Sequence, residues 1–281
     1  MILTLDTEFN IARKTAFDAL LKTLDDAFGK PVTEIEFRNL WLRNISAISN
    51  GAVIASGWYN PPPYGSTVLF GRENDPSRIS FTSLRKDKFH PKNKNIADWE
   101  NGFVYAYCSP VHMETGIIGD VSICLYFGKD KRLQNHFNNA FDATTELLTR
   151  LPEVSNSGQL LALSKNVFPK YNLINNIHSI NDPTNDNIGH TFPSIGPLRT
   201  KVLTREQKKH ISGARKFING DKPFEFTDGM QFTIEPQLTS TLDSMMPKVT
   251  IHYLVIKVPG GFRLCNDVDI LFKKDFKCFG R

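Results

Sequence analysis

The chain has 281 residues, of which 40% are hydrophobic and 22% are charged, and its formal net charge is +5. These values are typical of a folded globular protein and exclude an unfolded chain. No apolar run approaches the roughly 18 residues of a membrane-spanning helix, and the N-terminal segment lacks the pattern of a signal peptide. We therefore expect a cytoplasmic protein without a membrane partner.

The cysteines and the basic runs indicate neither a zinc finger nor a nucleic-acid partner. The four cysteines form no CxxC pair and no Cys/His cluster, and so few in a long chain suggest a reducing compartment. The densest basic runs, at residues 85–94, 205–210 and 273–277, have no RNA-binding or helix-turn-helix motif beside them. We interpret these runs as solvated faces.

Two helices are predicted at the start of the chain. Apolar residues recur at three- and four-residue spacing over residues 7–28, and Gly29 ends this pattern. Thr33 and Glu36 then form a capping-box pattern, which predicts a second helix to about Ser46. Both helices therefore have sequence signals for where they stop or start.

Strands follow these helices. Short ones are predicted at residues 52–58 and 67–70, on either side of a proline-rich loop. Stronger strand patterns occur at residues 103–108 and 121–127, and the turn-rich residues between them predict a β-hairpin.

The second half of the chain repeats this order more loosely. Its predicted elements are helices at 132–151 and 155–167, a loop-rich segment at 172–197, a short helix or loop at 204–219, and strands at 231–235, 249–258 and 262–264. Two similar halves, at residues 7–128 and 130–264, fit one internally duplicated α+β domain over residues 1–281. We expect the functional site where the two curved antiparallel sheets meet, which brings Asp120 and Glu235 towards one cavity.

The strand at residues 231–235 delivers a carboxylate, Glu235, just before Pro236. Asp228-Gly229 forms a turn before this strand, and apolar residues alternate with polar ones along it. A carboxylate at such a position is costly to bury unless a cation or a hydrogen bond compensates it. The alternative is an edge-strand glutamate that faces water.

Residues 229–236, Gly-Met-Gln-Phe-Thr-Ile-Glu-Pro, resemble the signature of the methionine aminopeptidase, prolidase and creatinase superfamily. This resemblance implies the pita-bread fold: an α+β domain of two pseudo-symmetric helix-helix-hairpin halves around curved antiparallel sheets. Gly119-Asp120 and Ile188-Gly189-His190 also resemble metal-binding segments of this family. The resemblance therefore implies Asp120, His190 and Glu235 as metal ligands.

Two further ligands of the family's two-metal centre are missing. Ser109 stands where the resemblance places the first aspartate, and Ile251 stands where it places the last glutamate. With this degenerate set we expect at most one divalent ion (Mn, Fe, Co or Zn), or none, as in creatinase. Three protein ligands and a water suffice for a single catalytic ion.

Histidines supply further candidate catalytic residues. His190 is a metal ligand or, with an unperturbed pKa near 6.5, a general base. Glu235, His112 and His252 are the other candidates. For His112 the alternative is a solvent-exposed loop position, and for His252 it is a hydrogen-bonded core position. Glu114 would supply a carboxylate in place of a missing one.

An aromatic segment supplies candidate substrate-binding residues. Trp58, Tyr59 and Tyr64 lie in a proline-rich loop, at the place where family peptidases carry a substrate-facing histidine. These rings either wall an apolar pocket or only pack against the protein. The N-terminal domain that precedes this fold in prolidase-like proteins is not expected here.

Three functional hypotheses follow. The preferred one is an aminopeptidase- or creatinase-like hydrolase that cleaves a C–N or related bond in a small molecule or short peptide. The alternative is a catalytically inactive relative that binds a peptide or protein. A two-metal aminopeptidase requires that Ser109 and Ile251 are misaligned. From similar proteins we also expect a homodimer.

Overall fold

The computed structural model of the chain describes residues 2–5, 10–48, 51–55, 65–79, 91–177, 182, 184–265 and 268. Within these ranges helices pack against mainly antiparallel sheets, which makes the chain an α+β protein as predicted. None of the helices in these ranges is long and apolar enough to cross a membrane. The aromatic candidates Trp58, Tyr59 and Tyr64 lie outside the described residues.

The predicted helices are present, with ends shifted by a few residues. They are α1 (Ile11–Ala27), α2 (Glu34–Ile48), α3 (Lys131–Thr149), α4 (Ser157–Val167) and α5 (Arg205–Ala214). Residues 204–219, predicted as helix or loop, contain α5, which begins with a capping box between Thr204 and Gln207. Polar side chains that accept hydrogen bonds from free backbone N–H groups therefore set these starts.

The strands of the described residues form four small sheets. They are β1 (Ile2–Leu5), β2 (Ala52–Val53), β3 (Ser66–Arg72), β4 (Gly102–Cys108), β5 (Val111–His112), β6 (Val121–Tyr126), β7 (Leu173–Asn175), β8 (Gln231–Ile234), β9 (Gln237–Ser240), β10 (Val249–Thr250), β11 (Tyr253–Val258) and β12 (Gly261–Leu264). Their orders are β3-β4-β6, β1-β12-β11-β8, β10-β9-β7 and β2-β5. The predicted hairpin is present as the antiparallel pair β4 and β6, with Phe103 opposite Tyr126.

Several strand predictions differ from the structure. Residues 249–258 were expected to form one strand, but β10 and β11 are separated at Ile251 and His252. Strand β7 lies in a segment predicted as loop. Strand β1 was not predicted, and it pairs in parallel with β12 at the other end of the chain. Pairing between distant segments leaves little local pattern, which explains why β1 was missed.

The two halves of the chain meet at the start of β6. Ile123 forms an isolated antiparallel bridge with Ile251, and the backbone N–H of His252 donates to the carbonyl of Ser122 at 2.9 Å. Strand β6 belongs to the first half and Ile251 to the second. This junction brings residues from both halves together; the internal duplication itself stays a prediction.

The capping box at the start of α2 leads to a stability prediction that a substitution can test. Thr33 Oγ1 accepts from the backbone N–H of Glu36 at 3.2 Å, and the backbone N–H of Thr33 donates to the Glu36 carboxylate at 2.9 Å. Because Thr33→Ala removes one of these bonds, we expect the free energy of unfolding to fall by about 1 kcal/mol. Urea denaturation measures this loss, and Thr33→Ser is expected to restore most of it.

Candidate functional site

Four buried side chains meet at the junction of the two halves: Asp120, His190, Glu235 and His252. Donor atoms of the first three all lie within 4.8 Å of one another. His190 Nε2 is 3.5 Å from Glu235 Oε1, and His252 Nδ1 is 3.3 Å from Glu235 Oε2. The structure therefore brings together the three residues predicted as metal ligands, and it places His252 beside them.

The backbone around His190 is fixed by hydrogen bonds to β8. The N–H of Thr233 donates to the carbonyl of His190 at 2.9 Å, and the N–H of Glu235 donates to the carbonyl of Ile188 at 2.8 Å. A Cβ at Gly189 would lie 2.0 Å from the carbonyl oxygen of Thr233. Only glycine permits this close approach, which aligns His190 with Glu235.

Asp120 is delivered by the connection that enters β6. A Cβ at the preceding Gly119 would lie 2.3 Å from the backbone nitrogen of Arg13, so helix α1 packs directly on this chain segment. The Arg13 guanidinium donates from Nη1 to the carbonyl of Asp120 and from Nη2 to the carbonyl of His252, the latter at 2.7 Å. One buried side chain thus holds the backbone of two cluster residues.

Between β10 and β11, His252 rather than Ile251 reaches the cluster. Side chains alternate along a strand, so neighbours point to opposite faces. Ile251 is buried in the main hydrophobic core, and the ring of His252 lies against the carboxylates of Asp120 and Glu235. The absence of a glutamate at position 251 therefore coincides with an imidazole from position 252.

Burial dominates the electrostatics of the cluster. Burial raises the pKa of Asp120 to about 7, although the charges of Arg215 and Arg13 and a hydrogen bond from Ser109 oppose this shift. Burial and the nearby charge of Asp120 raise the pKa of Glu235 to about 8. The two carboxylates share one buried site, so the charged form of each is disfavoured.

The two histidines shift in the opposite direction. Burial lowers the pKa of His190 well below its usual value, and the charge of Arg215 adds to this effect. Burial also lowers the pKa of His252, with further contributions from the charges of Arg13 and His190. Both imidazoles are therefore neutral at neutral pH, which is the form that binds metal ions.

The donor set fits a cation. Oδ1 of Asp120, Oε2 of Glu235 and Nδ1 of His252 are buried without a hydrogen-bond partner among the described residues. Such atoms are costly in a protein interior unless a further group satisfies them. Two carboxylates and neutral imidazoles are common ligands of divalent transition metals. The arrangement is therefore chemically suited to one such ion.

The remaining candidates occupy other places. His112 lies in β5, where Nδ1 contacts Thr115 Oγ1 at 2.9 Å, and it is buried rather than exposed. Among the described residues, His112 does not belong to the group of donor atoms formed by Asp120, His190 and Glu235. Glu114 is exposed, so its side chain does not replace the missing carboxylate. Ser109 is buried beside Asp120, in keeping with its expected position.

Several residues near the cluster were not predicted. Arg13 interrupts the apolar pattern of α1 directly after Ala12, which is a weak signal for a buried guanidinium. The rings of Phe192 and Phe217 lie 5.0 and 6.0 Å from the ring of His190, centroid to centroid. These two rings form an aromatic wall beside His190.

The chain is similar to known proteins in its structure. No protein-family model matches the chain, and no curated protein matches it in sequence. Solved structures do match. The methionine aminopeptidase of Thermotoga maritima has a TM-score of 0.59 and 14% identity, with 94% of this chain and 99% of that chain covered.

Longer peptidases match over part of their length. The dipeptidase PepE of Mycobacterium ulcerans has a TM-score of 0.58 and 14% identity, and the X-Pro aminopeptidase of Thermotoga maritima has a TM-score of 0.57 and 10% identity. Each match covers 90% of this chain, but only 56% and 58% of those two chains. This chain therefore spans a little over half the length of these two neighbours.

These likenesses establish the fold. The matched proteins are pita-bread proteins, and this chain has the pita-bread fold that residues 229–236 indicated. At this level of identity the activity of the neighbours does not transfer with the fold.

Proposed function

We infer that the chain is a hydrolase that uses one divalent metal ion, held by Asp120, His190 and Glu235, to cleave an amide or related C–N bond. The observation that carries this proposal is the buried set of three donor atoms within 4.8 Å of one another. The fold neighbours are named as dipeptidase, aminopeptidase and methionine aminopeptidase, which supports a short peptide or small amide as substrate.

The chain's own residues provide specific parts of this chemistry. When bound, a divalent ion would act as a Lewis acid towards an oxygen of the substrate. Asp120 and Glu235 supply the negative charge that offsets the ion, and neutral His190 supplies a nitrogen donor. Phe192 and Phe217 flank His190 and offer an apolar surface to a substrate side chain. Burial of the cluster strengthens the electrostatic interactions among these.

The first test is elemental analysis of protein purified without chelator, together with a Glu235→Gln variant. Glutamine keeps the size of the side chain but removes the charge, so we expect about one metal equivalent in the parent and less than a tenth in the variant. Turnover of a dipeptide and amide panel is expected to fall at least about 10³-fold. The control is Glu225→Gln, at an exposed glutamate ten positions upstream, which is expected to keep metal and turnover.

Other outcomes would contradict the proposal in different ways. Two metal equivalents would indicate a two-metal peptidase and a different ligand alignment. No metal, with activity that survives chelator, would favour creatinase-like chemistry through the histidines. No metal and no turnover would favour the binding module, whose partner affinity would be unaffected by Glu235→Gln.

Two properties beyond the site also belong to this proposal. A homodimer and a cytoplasmic location are expected from the resemblance and from the sequence. Sedimentation analysis of the purified protein measures the first, and cell fractionation measures the second.

A further inference from the structure

His252 is the fourth side chain of the cluster and is not one of the ligands implied by the resemblance. Its Nδ1 lies 3.3 Å from Oε2 of Glu235 and 3.7 Å from Oδ2 of Asp120. The residue is only 8% exposed, and Nδ1 has no hydrogen-bond partner among the described residues. A buried ring nitrogen of His252 therefore lies next to both carboxylates.

Three separations in the cluster are close to those expected between ligands of one ion, although His252 lies outside the three-residue group whose donor atoms are all within 4.8 Å of one another. Two donor atoms that each lie about 2.1 Å from an ion, at tetrahedral angles, are about 3.4 Å apart. His190 Nε2 and Glu235 Oε1 are separated by 3.5 Å, close to this value. The separations of His252 Nδ1 from the two carboxylates fall on either side of it.

The backbone of His252 is held on both sides. Its N–H donates to the carbonyl of Ser122, and its carbonyl accepts from the buried guanidinium of Arg13. The first bond comes from β6 and the second from α1, so two elements of the first half fix this residue of the second half. Ligands of metal sites are typically held in place by such surrounding contacts.

Another buried histidine shows what a structural role looks like in this protein. His136 on α3 is 6% exposed, and its Nε2 bonds to the carbonyl oxygen of Pro247 at 2.8 Å. His136 thus has a protein partner, as buried polar groups usually do. Nδ1 of His252 approaches two carboxylates but has no hydrogen-bond partner among the described residues, which distinguishes it from a hydrogen-bonded core histidine.

We propose that His252 is a further ligand of the single ion and takes the place of the carboxylate missing at Ile251. This inference rests on the proposed function. The resulting set has two imidazoles and two carboxylates, with Asp120, His190 and Glu235 as the other members, and a substrate oxygen would enter as a fifth ligand, an expansion that catalytic zinc sites allow. Compared with a set of mostly oxygen ligands, it favours Zn²⁺, Co²⁺ or Fe²⁺ over Mg²⁺.

The test is a titration of the chelator-treated protein with Co²⁺, followed by visible absorption spectroscopy. We expect His252→Gln to weaken Co²⁺ binding by about 100-fold or more and to shift the absorption bands, because a ligand is lost. The control, His136→Gln, removes a histidine of similar burial and is expected to leave the bands unchanged.

A second measurement needs no variant. In the proton NMR spectrum of the Co²⁺-loaded parent, two strongly shifted imidazole N–H signals are expected, one each from His190 and His252. A single such signal, or unchanged bands and affinity in His252→Gln, would refute His252 as a ligand while leaving the single-ion hydrolase intact. A parent protein that takes up no Co²⁺ would refute both proposals.

Discussion

Replacing Arg13 by methionine is expected to lower the free energy of unfolding by about 3–5 kcal/mol. The side chain is fully buried in α1 and donates to the carbonyl groups of Asp120 and His252. Methionine fills similar space but donates no hydrogen bond, so both carbonyls would lose this donor. Each buried polar group left without a partner costs about 1–3 kcal/mol.

Loss of Arg13 is also expected to affect the cluster. The positive charge of Arg13 lowers the pKa of both Asp120 and His252. Without this charge, the ionised form of Asp120 is less favoured, but the repulsion between Arg13 and a bound cation is also removed, so these electrostatic effects oppose each other. The decisive loss is positional, because Asp120 and His252 lose the contacts that fix their carbonyl groups. We therefore expect metal affinity to fall together with stability in Arg13→Met.

Urea denaturation of the metal-free protein, with Lys14→Met as a control, measures the loss in free energy of unfolding. Lys14 is the next residue of the same helix, and it forms a partly exposed ion pair with Asp18 at 2.6 Å. Removal of such a pair is expected to cost less than about 1 kcal/mol. Equal losses in the two variants would show that Arg13 has no special role at the junction.

The three proposed ligands were predicted from the resemblance to the pita-bread superfamily, because each lies in a short segment that resembles a metal-binding segment of that family. Glu235 follows an alternating strand and precedes a proline, and His190 follows a glycine that is needed for close packing. The order of helices and strands also suggested that Asp120 would approach Glu235. Local spacing and element order are properties that a single sequence carries.

The contacts that position these ligands were harder to predict from the sequence. Arg13 acts on carbonyl groups more than a hundred positions away, and only its place in the tertiary structure explains why it is buried. The break at Ile251 and His252 depends on contacts with β6, because residues 249–258 have the pattern of an unbroken strand. Long-range contacts overrode local pattern at both places.

Between pH 6.5 and about 9, the metal-free protein is expected to lose about 2–3 kcal/mol of stability as the pH rises. The pKa values of Asp120 and Glu235 are raised to about 7 and about 8 in the folded protein, compared with about 4 when unfolded. The folded state therefore binds more protons than the unfolded state in this range. A higher pH removes these protons and leaves two buried negative charges.

The two histidines oppose this loss of stability in the lower part of the pH range. Folding lowers the pKa of His190 and His252, so below about pH 6.5 the unfolded state binds protons that the folded state does not. That contribution makes stability rise with pH and opposes the carboxylates. Above about pH 7.5 the histidines are mostly neutral in both states, so the carboxylates dominate the slope. The raised pKa values of the buried thiols of Cys108 and Cys124 add to the loss near pH 9.

Urea denaturation in chelator across this pH range provides the measurement, and Glu235→Gln provides the control. Glutamine does not titrate, so the variant lacks the contribution of Glu235, which is the larger of the two because its pKa is raised further, and it is expected to lose much less stability. A bound divalent ion is expected to reverse the trend, since it binds the deprotonated carboxylates and releases their protons. Stability of the metal-free parent that stays constant or rises from pH 6.5 to 9 would contradict the raised pKa values. Two carboxylates that destabilise the metal-free protein when charged, and stabilise it with an ion, would mark the cluster as a cation site.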